Sequence, residues 1–232
     1  SAAARDSAAK HGSVPENAPA RTLAFETEVS SPRLDPIPPV VTRARPSWRG
    51  FNALFINAAR AGFWPEVVTS LETALGEHAW VALVNPRKEL SQPQAHALSR
   101  FLARGGNLLV LDSVLNVRST AARILAPYGV VPAMAVVAPA ERRGARVPSL
   151  SGVAAGTSPA LQRRVLSGGV ELIGVPVGRG RVYLATDGAL FSDAAVGGVY
   201  ASPGELELER LRGQAELFAR LGATEPPRGG GP

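Results

Sequence analysis

The chain has no cysteine. Disulfides, thiolate nucleophiles and cysteine-ligated metals are therefore excluded together, while the redox compartment stays open. Histidine is nearly as scarce. His11, His78 and His96 stand far apart, and no H-x-x-x-H or EF-hand-like spacing occurs. No metal site and no cofactor are expected. No apolar run approaches the roughly 20 residues that cross a bilayer. The opening Ser1-Ala-Ala-Ala-Arg5-Asp6 lacks the apolar core of a signal peptide. With no initiator Met, the chain reads as a processed product or an excised fragment.

Aromatic residues are few, at 6%, and they are not interleaved with a basic stripe. The net charge of +6 comes almost wholly from dispersed arginines. The densest cluster is Arg142-Arg143 with Arg146, followed by Arg163-Arg164. Nucleic-acid binding is thereby disfavoured, because it calls for concentrated charge or stacking platforms.

What the chain does have is apolar content, 45% of 232 residues, enough for one domain with tails. Residues 1–47 read as a flexible, Ala-, Ser- and Pro-rich linker in which Leu23-Ala-Phe25 could form a short edge strand. The prolines at 32, 36, 38 and 39 forbid regular structure after it. The compact domain is expected at 48–222, with a flexible tail at 223–232.

Within that domain, Ala53-Leu-Phe-Ile56 reads as a buried parallel strand ending at Asn57. Pro65 suits the first turn of a helix over 65–75, with Gly76 as its stop. Val81-Ala-Leu-Val84 reads as a strand ending in Asn85-Pro86. Ser91 and Gln94 form a capping box for the helix carrying Ala95, Leu98, Phe101 and Leu102, which Gly105 ends. Leu108-Leu-Val-Leu111 is a second apolar strand, ending in Asp112-Ser113. A short helix over 119–126 follows, capped by Ser119 or Thr120. Met134-Ala-Val-Val137 reads as a strand. Val170-Glu-Leu-Ile173 and Arg181-Val-Tyr-Leu184 read as paired strands turning at Gly178-Arg179-Gly180. A last helix runs at about 204–221. Strand–helix alternation predicts an α/β, flavodoxin-like fold: a mostly parallel sheet with helices on both faces and a β-hairpin in the second half.

The runs Val84-Asn85-Pro86, Leu90-Ser91, Leu98, Phe101-Leu102, Gly105-Gly106 and Leu108–Leu111 make a recurrent pattern. So do Val177-Gly178-Arg179-Gly180-Arg181-Val182, Asp187, Leu190-Phe191 and Ser192-Asp193. Over residues 80–221 they resemble the noncatalytic relatives of class I glutamine amidotransferases. Those relatives include GIFT domains, the auxiliary domain of gliding-motility-type ABC transporters, and a bacterial domain found beside membrane segments. The resemblance implies a binding module in an envelope transport, motility or secretion assembly, extracytoplasmic or membrane-associated, though the sequence leaves localisation open. A membrane would be reached only through an anchor absent from this chain. The chain departs from the pattern in one place: no strand fits between helix 65–75 and strand 80–84.

Amidotransferase chemistry needs a cysteine nucleophile and is excluded. Ser113 lacks the small neighbours of a G-x-S-x-G elbow, and Val114-Leu115 follows it. Trp48, Trp64 and Trp80 suit packing better than a shared groove. Parallel sheets place ligands at strand carboxyl ends, so Asn57, Asn85, Asp112, Ser113 and Asp187 are the candidate ligand-binding residues. Taken singly, each also fits an ordinary turn or cap. The expected partner is a protein or a small polar ligand. The alternative is a hydrolase acting on a small polar or glycan substrate at the strand-end crevice.

Overall fold

The structure, a computed structural model, describes residues 21–34, 47–135, 149–153, 161–197 and 202–223. Residues 1–20 and 224–232, read from the sequence as flexible, and the arginine cluster at 142–146 lie outside them. The elements in chain order are β1 (Arg21–Glu26), α1 (Asn52–Arg60), β2 (Phe63–Val68), α2 (Leu71–Glu77), β3 (Trp80–Val84), α3 (Gln92–Ala103) and β4 (Asn107–Leu111). Then come α4 (Ala121–Leu125), β5 (Val131–Ala135), β6 (Ser149–Val153), β7 (Gln162–Val165), β8 (Glu171–Val177), β9 (Gly180–Ala185), α5 (Asp193–Val196) and α6 (Glu205–Ala223).

Seven strands form one sheet in the order β2-β1-β3-β4-β9-β8-β7, and β5 and β6 pair separately. The pairings from β2 across to β9 are parallel, and β7, β8 and β9 are joined antiparallel. This is the α/β, flavodoxin-like architecture. The order 2-1-3-4 followed by a fifth parallel strand places a topological switch at the neighbouring ends of β1 and β3. Leu109 and Leu111 face a core that contains α1 and α6 residues, whereas Leu108 and Val110 face one built with α2, α3 and α4. Burial on both faces explains why these strands read as continuous apolar runs.

The expected β3–α3–β4 unit is present. Ser91 and Gln94 exchange both bonds of the capping box, and Gly105 leaves the helix at φ 106°. The β8–β9 hairpin turns at Gly178, whose φ is 59°. A Cβ at Gly180 would collide with the carbonyl of Gly106. The glycines therefore serve a turn and a close approach, as the hairpin reading requires. Met134 and Ala135 of the strand expected at Met134–Val137 lie in β5, and residues 136–137 lie outside the described residues. Thr120 is the N-cap of α4 but makes no side-chain cap bond, its hydroxyl donating to the Lys88 carbonyl, while the preceding Ser119 hydroxyl accepts the Ala121 N–H at 3.1 Å.

Three expectations near the amino end are corrected. Ala53–Ile56 lies in α1 and is not a strand. Its four apolar residues fit either state, and Asp193 captures the start of the helix from far along the chain. Pro65 lies in β2 and does not open a helix, which begins instead at Leu71. The Val68 carbonyl accepts from Thr27 on the β1 side. Strand alternation therefore points the Pro65 nitrogen outward, where its missing N–H costs no ladder bond. Finally, Leu23–Phe25 is no edge strand. β1 lies between β2 and β3, and Leu23, Ala24 and Phe25 are fully buried. The strand missing before β3 is thus supplied earlier in the chain.

Candidate functional site

Strands β1, β3, β4 and β9 end side by side, and four of the five candidate residues stand there. Asn85 is the first residue beyond β3. It adopts φ 50°, a left-handed conformation that asparagine tolerates better than most residues. Its N–H donates to the Leu111 carbonyl at 2.8 Å. The side chain is 1% exposed, and neither its Oδ1 nor its Nδ2 has a hydrogen-bond partner among the described residues. Asp112 and Ser113 follow β4 and are 2% and 3% exposed. The Ser113 hydroxyl also has no partner among the described residues. Asp187 follows β9 and is half-buried. The next residue, Gly188, donates its N–H to the Asp112 carbonyl at 2.7 Å, pinning the β4 and β9 ends together. A Cβ at Gly188 would lie 2.9 Å from Leu111 Cβ, which explains the glycine.

Asn57 does not belong to this group. It lies in α1, where its Nδ2 donates to Gln214 Oε1 at 2.7 Å and its Oδ1 accepts from Arg60 at 3.3 Å. Its role is to tie α1 to α6. The expectation that it ends a strand failed with the strand itself.

Asp112 is committed to its own loop. Oδ1 accepts from Asn116 Nδ2 at 2.9 Å and Oδ2 from Ser119 Oγ at 2.5 Å. Burial raises its pKa, opposed by the Ser119 and Asn116 bonds and the Ser113 N–H. Asn116 is itself 3% exposed and also donates to the Pro86 carbonyl at 3.0 Å. From the other side, Ser30 and Ser31 bond the Val84 backbone, each at 3.1 Å. The Val29 carbonyl accepts from the N–H groups of Arg87 and Lys88. The β3–α3 loop is therefore clasped between the loops after β1 and β4. Asn85, Asp112 and Ser113 lie beneath interlocked backbone and do not line an open crevice.

Glu26, which sequence reasoning passed over, is fully buried at the end of β1. Its carboxylate accepts the N–H groups of Glu28, Val29 and Ser30. Burial raises its pKa, against these hydrogen bonds. The signal was legible: an acid ending the apolar run Leu23-Ala-Phe25 must find donors or lose its charge. Asp193 was also missed as a site of order. Its carboxylate accepts from the backbone N–H groups of Asn52 and Ala53 and from Asn52 Nδ2, at 2.8–3.2 Å.

Histidine is the commonest general base for a serine nucleophile, and neither described histidine stands near Ser113. His78 precedes β3, at the opposite end of that strand, and contacts Glu66 Oε2 at 3.1 Å. His96 is exposed on α3. Among the described residues no group of three or more His, Asp or Glu could hold a metal. A shallow groove of about 690 Å³ lies along the solvent side of α3, lined by Gln92, Pro93, His96, Ser99 and Arg100. It does not include the strand-end residues.

The tryptophans do not share a groove. Trp80 is buried and stacked on Tyr183, Trp64 is 62% exposed on β2, and Trp48 lies under the Arg49 guanidinium. No helix among the described residues is long and apolar enough to cross a membrane.

No family model matches the chain. No curated protein matches it in sequence. Among solved structures it is similar to the mmIFT52 N-terminal domain, with a TM-score of 0.55 and 15% identity over 88% of this chain and 98% of that one. It is also similar to a cytoplasmic protein of Salmonella typhimurium LT2, with a TM-score of 0.44 and 11% identity over 74% and 86% of the two chains. A β-galactosidase from Bacillus circulans sp. alkalophilus matches with a TM-score of 0.42 and 12% identity, over 89% of this chain but 32% of its own. At these identities, what is shared with the first of them is the fold.

Proposed function

We propose that this chain is a noncatalytic binding domain of the glutamine amidotransferase-like type, acting by protein–protein interaction in an envelope-associated transport, motility or secretion assembly. The observation that carries the reading is the use of Asp112. The acid next to Ser113, just beyond β4, spends both carboxylate oxygens bracing its own loop. It is therefore unavailable to orient a base or hold a substrate. The absence of cysteine from the whole chain removes the nucleophile of the catalytic relatives. Asp112 and Glu26 act in this reading as braces of the strand-end loops, and binding falls to the surface that those loops present. The assembly is taken from the family resemblance, by analogy.

The test is turnover. The purified chain should hydrolyse neither glutamine nor p-nitrophenyl acetate nor p-nitrophenyl glycosides above the uncatalysed rate, and Ser113→Ala should change nothing. Turnover that disappears in Ser113→Ala would replace this reading with the hydrolase.

A further inference from the structure

We propose that the β4–α4 loop, together with Arg87 and Lys88, is a docking surface for an acidic, amphipathic segment of a partner protein. The proposal rests on the noncatalytic binding reading and names its surface and the chemistry of its partner.

The loop presents apolar side chains where a monomer would be expected to place polar ones. Leu115 is 49% exposed and Val117 is 86% exposed, while Asn116 between them is 3% exposed. The alternation is held by hydrogen bonds. Asn116 Nδ2 donates to the Pro86 carbonyl and to Asp112, and its Oδ1 accepts from Arg87 Nε at 3.1 Å. Its N–H donates to the Ser113 carbonyl, and its own carbonyl accepts from Ser119, both at 2.9 Å. A buried asparagine thus staples the loop from within and turns its neighbours outward. Two apolar side chains on a fixed loop can be buried by a partner with little further loss of chain entropy.

Charge selects the partner. Lys88 and Arg118 are exposed and Arg87 is half-buried. The Thr120 hydroxyl donates to the Lys88 carbonyl at 3.0 Å, which places Lys88 beside the loop. The neighbouring acids are already used. Glu89 pairs with Arg123, Asp112 is buried, and Glu28 accepts from the Leu71 N–H and from Gln94. An apolar pair rimmed by cations that have no acidic partner among the described residues is complementary to a segment carrying Asp or Glu beside apolar side chains. An anionic bilayer is the weaker match, since lipid recognition uses clusters of about 4–8 basic residues. Nucleic acid is weaker still, because Val114-Leu115-Asn116-Val117-Arg118 offers no stacking ring.

The experiment is selection of a phage-displayed random library of about 15-residue peptides on the whole chain. Enriched peptides should combine net negative charge with apolar residues. Their affinity should fall at least about tenfold on Val117→Asp and on Arg118→Glu, and also as salt is raised. Both variants should melt as the wild type does, since the altered side chains are exposed. Failure to enrich acidic peptides, or peptides that bind both variants as tightly as the wild type, would overturn the proposal. So would loop-dependent binding to phosphatidylserine-containing vesicles without peptide binding. Turnover lost in Ser113→Ala would instead sink the noncatalytic reading, so the two failures are distinguishable.

Discussion

Two buried aspartates order the two sides of the strand-end surface, and they reach over very different lengths of chain. Asp112 binds Asn116 and Ser119, four and seven residues away. Asp193 caps α1 at Asn52 and Ala53, about 140 residues away. The first braces its own loop, which Asn116 ties onward to the neighbouring β3–α3 loop at Pro86 and Arg87, and leaves Leu115 and Val117 exposed. The second joins the start of α1 to α5, and Asn57 extends the tie to Gln214 on α6. One side is thus a local staple and the other a long-range clasp. Altering the exposed residues of the stapled loop leaves its hydrogen bonds in place, whereas the clasp cannot be altered without loosening the helices it joins.

The largest effect should come from the strand beneath both sides. Leu111→Ala should cost about 2–5 kcal/mol, because Leu111 is fully buried against the α1–α6 core. A denaturant melt showing a loss below about 1 kcal/mol would mean that β4 is peripheral. Asp193→Ala should come next, at about 2–3 kcal/mol, since it orphans the N-terminal donors of α1. Hydrogen exchange should show the early amides of α1 opening more readily. Asp112→Ala should cost less, about 1–2 kcal/mol, because Asn116 keeps its bond to Pro86 and Ser119 is exposed. If the Asp112 variant proved less stable than the Asp193 variant, the contrast between staple and clasp would be reversed.

The smallest effect is a pH dependence. Burial lifts the Asp112 pKa above its ordinary 3.8, so the folded chain holds this proton more tightly than the unfolded one. The stability so gained is fully present below 3.8 and is lost as pH rises through the raised value. Asp112→Asn keeps an acceptor for Asn116 and cannot titrate. The stability of the wild type relative to this variant should therefore decline as pH climbs through that window. A constant difference across the window, measured by chemical denaturation, would show the carboxyl to be effectively solvated.

What was legible in the sequence follows the same division between local and distant. Ser91 and Gln94 signal a helix start by themselves, and they form the box they announce. Gly105 and Gly178 mark positions where a left-handed backbone is needed. The runs at 81–84 and 108–111 are long enough, and rich enough in apolar residues, to read as strands buried on both faces. Asn85, Asp112, Ser113 and Asp187 were placed correctly at strand ends because the ends of those strands were legible. Asn57 was not, because its strand was inferred from four apolar residues that suit a helix equally well.

By itself, then, the sequence determined the α/β class, the β3–α3–β4 unit, the β8–β9 hairpin and the exclusion of cysteine chemistry. Each depends on residues close together in the chain or on composition alone. Only the tertiary structure decided that 52–60 is helical, because the cap that starts it, Asp193, arrives from the far end of the domain. It decided that Pro65 lies in an edge strand, since that depends on which side of β2 faces β1. It also decided that β1 is interior, and that Asp112 and Asn116 face inward while Leu115 and Val117 face out. Short apolar runs and single polar residues are compatible with more than one local state. The energy that chooses among them comes from partners brought near only when the sheet is assembled.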